Sequence, residues 1–272
     1  MKIGILGFGN MGAAMGERLK LKYQIFVFDK DVDKTKECAG ITVDKSLEEL
    51  ANCANALILA IKPQDFEKSL EEIKKHEQMY LIISIAAGIT TSFIEARLGK
   101  KAVIRAMPNL PAKVGEGMIC ITKGKYATDI DLSFVQGLFN RLGKTLIVEE
   151  RLMDAVTAVS GSGPGFLYEL INNIPRAEWD KFIKEEFVPK LSYAGMQVGF
   201  TAEQAKLLAE TTAQGSMSLL HQSKTSAAIL KVRVTSPGGT TEAGLSALKG
   251  KVENLELAVR VALKRSEELS RK

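Results

Sequence analysis

Cysteine is scarce and poorly placed for chemistry: Cys38, Cys53 and Cys120 are the only three, odd in number and far apart. With no C-x-x-C pair, neither a disulfide framework nor a zinc site is indicated, and reduced thiols are expected. Histidine is scarcer still, with two in 272 residues. His76 ends a charged helical stretch and His221 follows a helix end, so both read as solvated rather than as proton-transfer groups, and no metal-ligand cluster is legible. Aromatic residues make up 6%, with a single Trp, and the lysines and arginines behind the net charge of +5 are mixed with acids rather than with aromatics. That is not the pattern of a nucleic-acid-binding face, although a mild positive field suits anionic ligands. The longest apolar stretch, Tyr80–Ile89, falls well short of the roughly 18 residues of a membrane span. A glycine turn interrupts the first apolar run, and no small-residue cleavage site follows it, so a cytoplasmic protein is expected.

What is present is the balance of a folded protein, 46% hydrophobic and 25% charged, with room for two domains. The opening stretch sets the organisation. Ile3, Ile5 and Leu6 read as a buried strand, Gly7-Phe8-Gly9-Asn10-Met11-Gly12 supplies G-x-G-x-x-G, and Ala13–Leu21 reads as a helix. In that order the first glycine allows a tight turn, the second lets backbone approach a pyrophosphate, and the third lets helix lie close to strand. Gly7, Gly9, Asn10, Met11 and Gly12 are therefore candidate dinucleotide-binding residues. A second strand, Gln24–Phe28, ends in Asp29, at the spacing of a ribose-binding carboxylate, with Lys30 beside it.

Alternation then continues. Helices are expected at Asp31–Ala39, Ser46–Cys53, Gln64–Lys75, Ile89–Leu98 and Asp129–Leu142, with strands at Ala56–Ile61, Met79–Ile85, Ala102–Ala106, Gly117–Thr122 and Lys144–Val148. This rhythm implies a Rossmann-type, doubly wound parallel sheet. Its strand ends carry Ala60, Lys62 and Pro63, then Ala86 and Ala87, where a flat ring and a phosphate or ribose could be met. Asn109, bracketed by Pro108 and Pro111, is held stiffly enough to serve the cofactor, or is a plain turn amide.

Past Glu149 the pattern becomes helical, with heptad-like apolar spacing in Leu207–Leu220 and Leu255–Leu269, and the domain boundary is placed near residue 150. Two loops interrupt it, Gly161–Gly165 within Ser160-Gly161-Ser162-Gly163-Pro164-Gly165, and Ser236-Pro237-Gly238-Gly239-Thr240-Thr241. Glycine and proline disfavour a helix interior by roughly 1 and 3 kcal/mol, so each break points to a helix junction or a ligand approach. The second could hold a carboxylate on backbone N–H groups, or Thr240 or Thr241 could be an N-cap. Long apolar helices in so short a domain call for a second copy to cover them.

With these residues together, the chain resembles the pyrroline-5-carboxylate reductases, most specifically in Val234–Leu248, which reads VTSPGGTTEAGLSAL. The resemblance also covers Gly7–Gly12, Ala60–Pro63, Ser84–Ile89, Arg105–Pro111 with Val114–Met118, and Ser160–Pro164. It implies a Rossmann domain, residues 1–150, followed by an all-helical dimerisation and substrate domain, residues 151–272, and NAD(P)H-dependent reduction of a cyclic imine to proline. By position, Thr241 would be catalytic and meet the ring nitrogen, Ser236 with the Gly239 and Thr240 backbone would bind the carboxylate, and Ser160 and Ser162 would also bind substrate. The implied assembly is a homodimer, or a larger homo-oligomer of dimers, with no nucleic-acid or membrane partner. Two features depart from the pattern: an extra segment around Ile174–Ser192 containing Trp179, and Glu242 directly after the two threonines. An imine also suits a chain poor in histidine, because an iminium already carries its proton whereas a ketone needs a general acid. Asp29 would give a modest preference for NADH over NADPH. Alternatives are a reductase or dehydrogenase of another small imino or hydroxy acid, and a silent dinucleotide sensor.

Overall fold

The computed structural model describes residues 1–36, 38–76 and 81–270. They pack as two compact units, Met1–Ala106 with Ile121–Glu150, and Met107–Cys120 with Arg151–Lys272.

The first unit opens with β1 (Lys2–Leu6), buried after its first residue, and α1 (Asn10–Leu19). The helix starts three residues earlier than the apolar pattern indicates, because Gly9 is its N-cap and the last half of the glycine motif is already helical. After β2 (Gln24–Phe28) comes one 3-10 turn, Val32–Thr35, in place of the expected Asp31–Ala39 helix. The Asp31 side chain accepts from the Asp33 N–H and closes that turn locally, which competes with helix propagation; residue 37 lies outside the described residues. β3 (Thr42–Val43) is two exposed residues with no apolar signal. Then follow α2 (Leu47–Cys53), capped by Ser46, β4 (Ala56–Leu59), and a 3-10 turn Pro63–Asp65 leading into α3 (Phe66–Ile73). β5 (Leu81–Ser84) is next; its expected start at Met79 lies outside the described residues. α4 (Thr91–Leu98) is capped by Thr90, and β6 (Ala102–Pro108), β7 (Gly117–Lys123), α5 (Asp129–Phe139) and β8 (Gly143–Ile147) complete the alternation.

The eight strands form one sheet in the order β3-β2-β1-β4-β5-β6-β7-β8, and every pair from β3 to β6 is parallel. Parallel strands need helical crossovers, so both faces are covered and the strands read as unbroken apolar runs; β4 and β5 are buried throughout. Strand order reverses between β1 and β4, and ligands of such sheets sit at the carboxyl ends of strands at that point. One charge lies inside the layer. Arg105 on β6 is 1% exposed and donates from Nη1 to Glu150 Oε1 at 2.7 Å, while Glu150 Oε2 accepts from Thr91 Oγ1 at 2.8 Å. A buried guanidinium persists only when paired, so this carboxylate holds β6 and the start of α4 at once.

The second unit is helical around the residues of α6 (Met153–Val156), α7 (Gly163–Ile171), α8 (Trp179–Phe182), α9 (Val188–Gln197), α10 (Ala202–Ser223), α11 (Ala227–Val234), α12 (Thr240–Leu248) and α13 (Leu255–Ser270). The expected loop at Gly161–Gly165 is not a loop. A π-helical turn, Thr157–Gly161, leads almost directly into α7, and a second, Ile183–Phe187, leads into α9. Each precedes a proline, Pro164 or Pro189, whose missing N–H and bulky ring the wider turn accommodates. The extra segment is mostly helical as well, and its Trp179 Nε1 donates to the carbonyls of Ile171 at 3.2 Å and Ile174 at 2.9 Å. The Ile171 carbonyl, the last of α7, also accepts from the Ile174 N–H at 3.2 Å, so the indole adds a side-chain donor to the turn that ends that helix.

Candidate active site

In the first unit the glycine turn sits at the reversal of strand order. Gly7 has φ +93°, a conformation strained for any side chain, and a Cβ on Gly12 would lie 2.1 Å from the Gly7 carbonyl oxygen. Asp29 ends β2 and ties this turn down: its Oδ2 accepts from the Phe8 N–H at 2.6 Å and its Oδ1 from the Asp31 N–H at 2.9 Å. Burial would raise the Asp29 carboxyl, but these two N–H groups and the Lys34 ammonium outweigh it and hold the group below the ordinary carboxylate value. A cleft of about 600 Å³ opens beside the turn, lined by Gly7, Gly9, Asp29, Ala60 and Lys62 among others. Lys30, Lys34, Lys45 and Lys68 also face it, against Asp65 and Glu72. Hydrogen bonding and attraction from Asp65, 2.8 Å away, raise the exposed Lys30 ammonium. The cleft opens beside the N-terminus of α1, and a helix N-terminus is a place where backbone amides can meet an anion. Asn10 and Met11 open that helix, Pro63 starts the 3-10 turn after β4, and Ala86 and Ala87 follow β5.

In the second unit Ser162, Thr240 and Thr241 meet at the start of α12. Thr241 Oγ1 donates to Ser162 Oγ at 3.2 Å, and Ser162 Oγ lies 3.1 Å from the Thr157 carbonyl and 3.3 Å from Thr240 Oγ1. Glycine in α7 permits this closeness, since a Cβ on Gly165 would sit 2.6 Å from the Thr241 methyl. The N-cap of α12 is Gly239, without a side-chain cap bond, so neither threonine serves as the cap. The first helical return bond runs from Ala243 N to the Gly239 carbonyl, leaving the amides of Thr240 and Thr241 ahead of it as donors.

A pyrroline-5-carboxylate reductase of Aquifex aeolicus is 35% identical over 92% of this chain and 90% of its own length. The chain belongs to the pyrroline-5-carboxylate reductase family. Its relative from Synechocystis is 33% identical over 100% of this chain and 99% of that one. A crystal structure of the Plasmodium falciparum pyrroline carboxylate reductase, solved with NADP bound, matches with a TM-score of 0.63 at 27% identity, over 99% of this chain and 98% of that one. The family model for pyrroline-5-carboxylate reductase dimerisation matches residues 185–269, and one described as NADP oxidoreductase, coenzyme F420-dependent, matches residues 2–88.

Within this reductase-family chain three expected ligands are placed otherwise. Asn109 is 2% exposed and spends both ends of its amide internally, Nδ2 on the Ser160 carbonyl at 3.1 Å and Oδ1 on the Met118 N–H at 2.9 Å. It is a strut of the second unit, because a proline-flanked loop must satisfy its neighbours' backbone groups through side chains. Ser160 is fully buried and its hydroxyl returns to the Val156 carbonyl at 3.1 Å. The Gly239 N–H is also occupied, donating to the Ser236 carbonyl at 2.9 Å, so the open amides are those of Thr240 and Thr241. Lys45 and Lys68 were not foreseen in the cleft; Lys45 precedes the Ser46 cap of α2, Lys68 lies in the first turn of α3, and neither carries a motif. Among the described residues, no group of His, Cys, Asp and Glu is arranged to hold a metal, and no helix is long and apolar enough to cross a membrane.

Proposed function

We propose that the chain reduces 1-pyrroline-5-carboxylate to L-proline with NAD(P)H, the last step of proline synthesis, in the cytoplasm. The observation that carries this reading is the Ser162, Thr240 and Thr241 hydroxyl cluster at the N-terminus of α12 in a member of this family. Residues 1–150 bind the dinucleotide through Gly7, Gly9, Asn10, Met11, Gly12, Asp29, Ala60, Lys62, Pro63, Ala86 and Ala87, and residues 151–272 bind the imino acid. When bound, the reduced nicotinamide supplies hydride to the imine carbon. The amides of Thr240 and Thr241, with Ser236, meet the substrate carboxylate, where the helix N-terminus favours negative charge. Thr241 donates its own proton to Ser162, which leaves its oxygen lone pairs to accept the iminium N–H and hold that nitrogen as it becomes an amine. The cluster offers hydroxyls rather than a strong acid, which suits a substrate that arrives protonated.

For the cofactor, Asp29 remains ionised and can accept from ribose hydroxyls while repelling a 2′-phosphate, whereas Lys30, paired at the surface with Asp65, could attract one. A modest preference for NADH is proposed. An assay with the cyclic imine and each reduced cofactor tests both points: turnover of the imine, faster in kcat/KM with NADH, is expected. Activity on 2-keto acids alone, or cofactor binding without turnover, rejects the reaction; NADPH preferred about tenfold rejects the role of Asp29.

The same reading makes the protein a homodimer or a larger assembly of dimers. Support comes from the dimerisation model over residues 185–269 and from Ile229 and Val232 on α11, 51% and 68% exposed. Sedimentation at micromolar concentration should show no monomer; a compact, active monomer would remove this proposal.

A further inference from the structure

Ser236 to Gly239 forms a four-residue turn. The Ser236 carbonyl accepts from the Gly239 N–H at 2.9 Å, Pro237 takes the second position, and Gly238 takes the third at φ +69°, the geometry of a type II turn. Such a turn has an alternative, type I, which differs mainly by a flip of the peptide between its two central residues. In this chain that peptide is pinned. Its N–H, on Gly238, donates to Glu242 Oε2 at 2.8 Å, and the following carbonyl, also on Gly238, accepts from Arg265 Nε at 2.7 Å. Arg265 is itself steadied by Glu268 Oε2, 3.0 Å from its Nη1. One residue of the turn is therefore gripped on both of its peptide groups, from α12 and from α13.

We propose that Glu242 and Arg265 are positioning residues for the imino-acid carboxylate. They hold the turn in the one peptide orientation that keeps the Thr240 and Thr241 amides and the Ser236 side chain convergent. This rests on the reading of that loop as the substrate site and explains the residue that departs from the family pattern. A carboxylate at the third position of α12 would repel a bound carboxylate if it faced the same space. Bonded back to Gly238, it instead fixes the turn, and the Arg265 guanidinium answers it from the other side. Neither residue touches substrate in this scheme; both act through the shape of the turn.

The test is steady-state kinetics of Glu242→Ala, Glu242→Gln, Arg265→Met and Arg265→Lys with the cyclic imine, alongside melting, sedimentation and cofactor titration. Glu242→Ala and Arg265→Met should each raise the imine KM about tenfold, the worth of one hydrogen bond involving a charged group, with kcat and cofactor affinity little changed. Glu242→Gln keeps an acceptor and Arg265→Lys a donor, so each should recover most of that loss. If Glu242→Ala only lowers the melting temperature and leaves the imine KM alone, the contact is a helix cap and the inference is overturned. An unmodified protein that does not reduce the imine would instead overturn the functional reading beneath it. Should Glu242→Ala or Arg265→Met fail to fold, the conservative pair decides: a residual rise of about two- to threefold in the imine KM is expected for both Glu242→Gln and Arg265→Lys, and an unchanged KM in either one overturns the inference.

Discussion

Gly9→Val is expected to fold like the parent protein and to lose about 100-fold in dinucleotide affinity, about 2.7 kcal/mol, the equivalent of one strong charge-assisted hydrogen bond. Nothing within the chain requires glycine at this position: its φ of −73° and ψ of −164° suit any residue, and no atom lies within 4 Å of where a Cβ would stand. Gly7 and Gly12 differ, since side chains there would strike backbone carbonyl oxygens at 2.6 and 2.1 Å, so their replacement damages the turn itself. The open space over Gly9 is what a pyrophosphate needs to reach the amides that begin α1. A valine would hold the phosphates away without moving the protein. Calorimetric titration with NADH and a thermal melt check this together. Wild-type affinity in a normally folded Gly9→Val protein would mean that phosphates do not sit at this helix, and the cleft would need another ligand.

The two glycine motifs differ in what the sequence could say about them. Gly7 to Gly12 was legible because strand, turn and helix follow one another within a few residues, and local spacing alone builds the site. The alternation beyond it announces a parallel sheet, but the order β3-β2-β1-β4-β5-β6 was not readable, and β3, two exposed residues, left no signal at all. Ser160 to Gly165 misled, because glycine and proline clusters normally end helices. Here the glycines make room for neighbours: a Cβ on Gly163 would meet the Thr212 methyl at 2.8 Å, and one on Gly165 the Thr241 methyl at 2.6 Å. A close approach between segments far apart in sequence leaves the same glycine signature as a turn, so spacing could not separate them. The same is true of Asn109. Its position after β6 was readable, but whether its amide faced a ligand or the neighbouring backbone depended on Ser160, 51 residues away.

Glu242 and Arg265 lie 23 positions apart by their sequence numbers, with no motif joining them. Their meeting at Gly238 depends on α12 packing against α13, which apolar periodicity suggests only as a helix pair and not in register. By contrast, Ser162 and Thr241 both stood in recognisable motifs, yet their contact at 3.2 Å could not be read because the sequence gives no direction to either hydroxyl. Capping chemistry was likewise ambiguous: a threonine after glycines is a good N-cap candidate, but the chain uses Gly239 and leaves both threonines inside the first turn.

That placement sharpens the expectation for Thr241→Val, which should lower kcat/KM for the imine by roughly 10- to 150-fold, since a hydrogen bond to a charged group contributes about 1.5–3 kcal/mol. Valine keeps the methyl that packs over Gly165 and removes only the hydroxyl. Ser162 retains the Thr157 carbonyl at 3.1 Å, so no buried donor is orphaned by the change. Because Thr241 is not the N-cap, the loss of a capping bond, about 1 kcal/mol, does not arise, and the melting temperature should shift little. Cofactor affinity should stay as it was, because the proposed dinucleotide site at Gly7 to Gly12 lies in the other unit. The effect should fall on the chemical step as well as on binding: a nitrogen that is an iminium before hydride transfer and an amine after it must keep one partner throughout to stay aligned. Kinetics of the imine, melting and cofactor titration on the one variant separate the roles. A Thr241→Val protein that is correctly assembled and turns over imine at close to the parental rate would remove Thr241 from the active site and leave it a packing residue between α7 and α12.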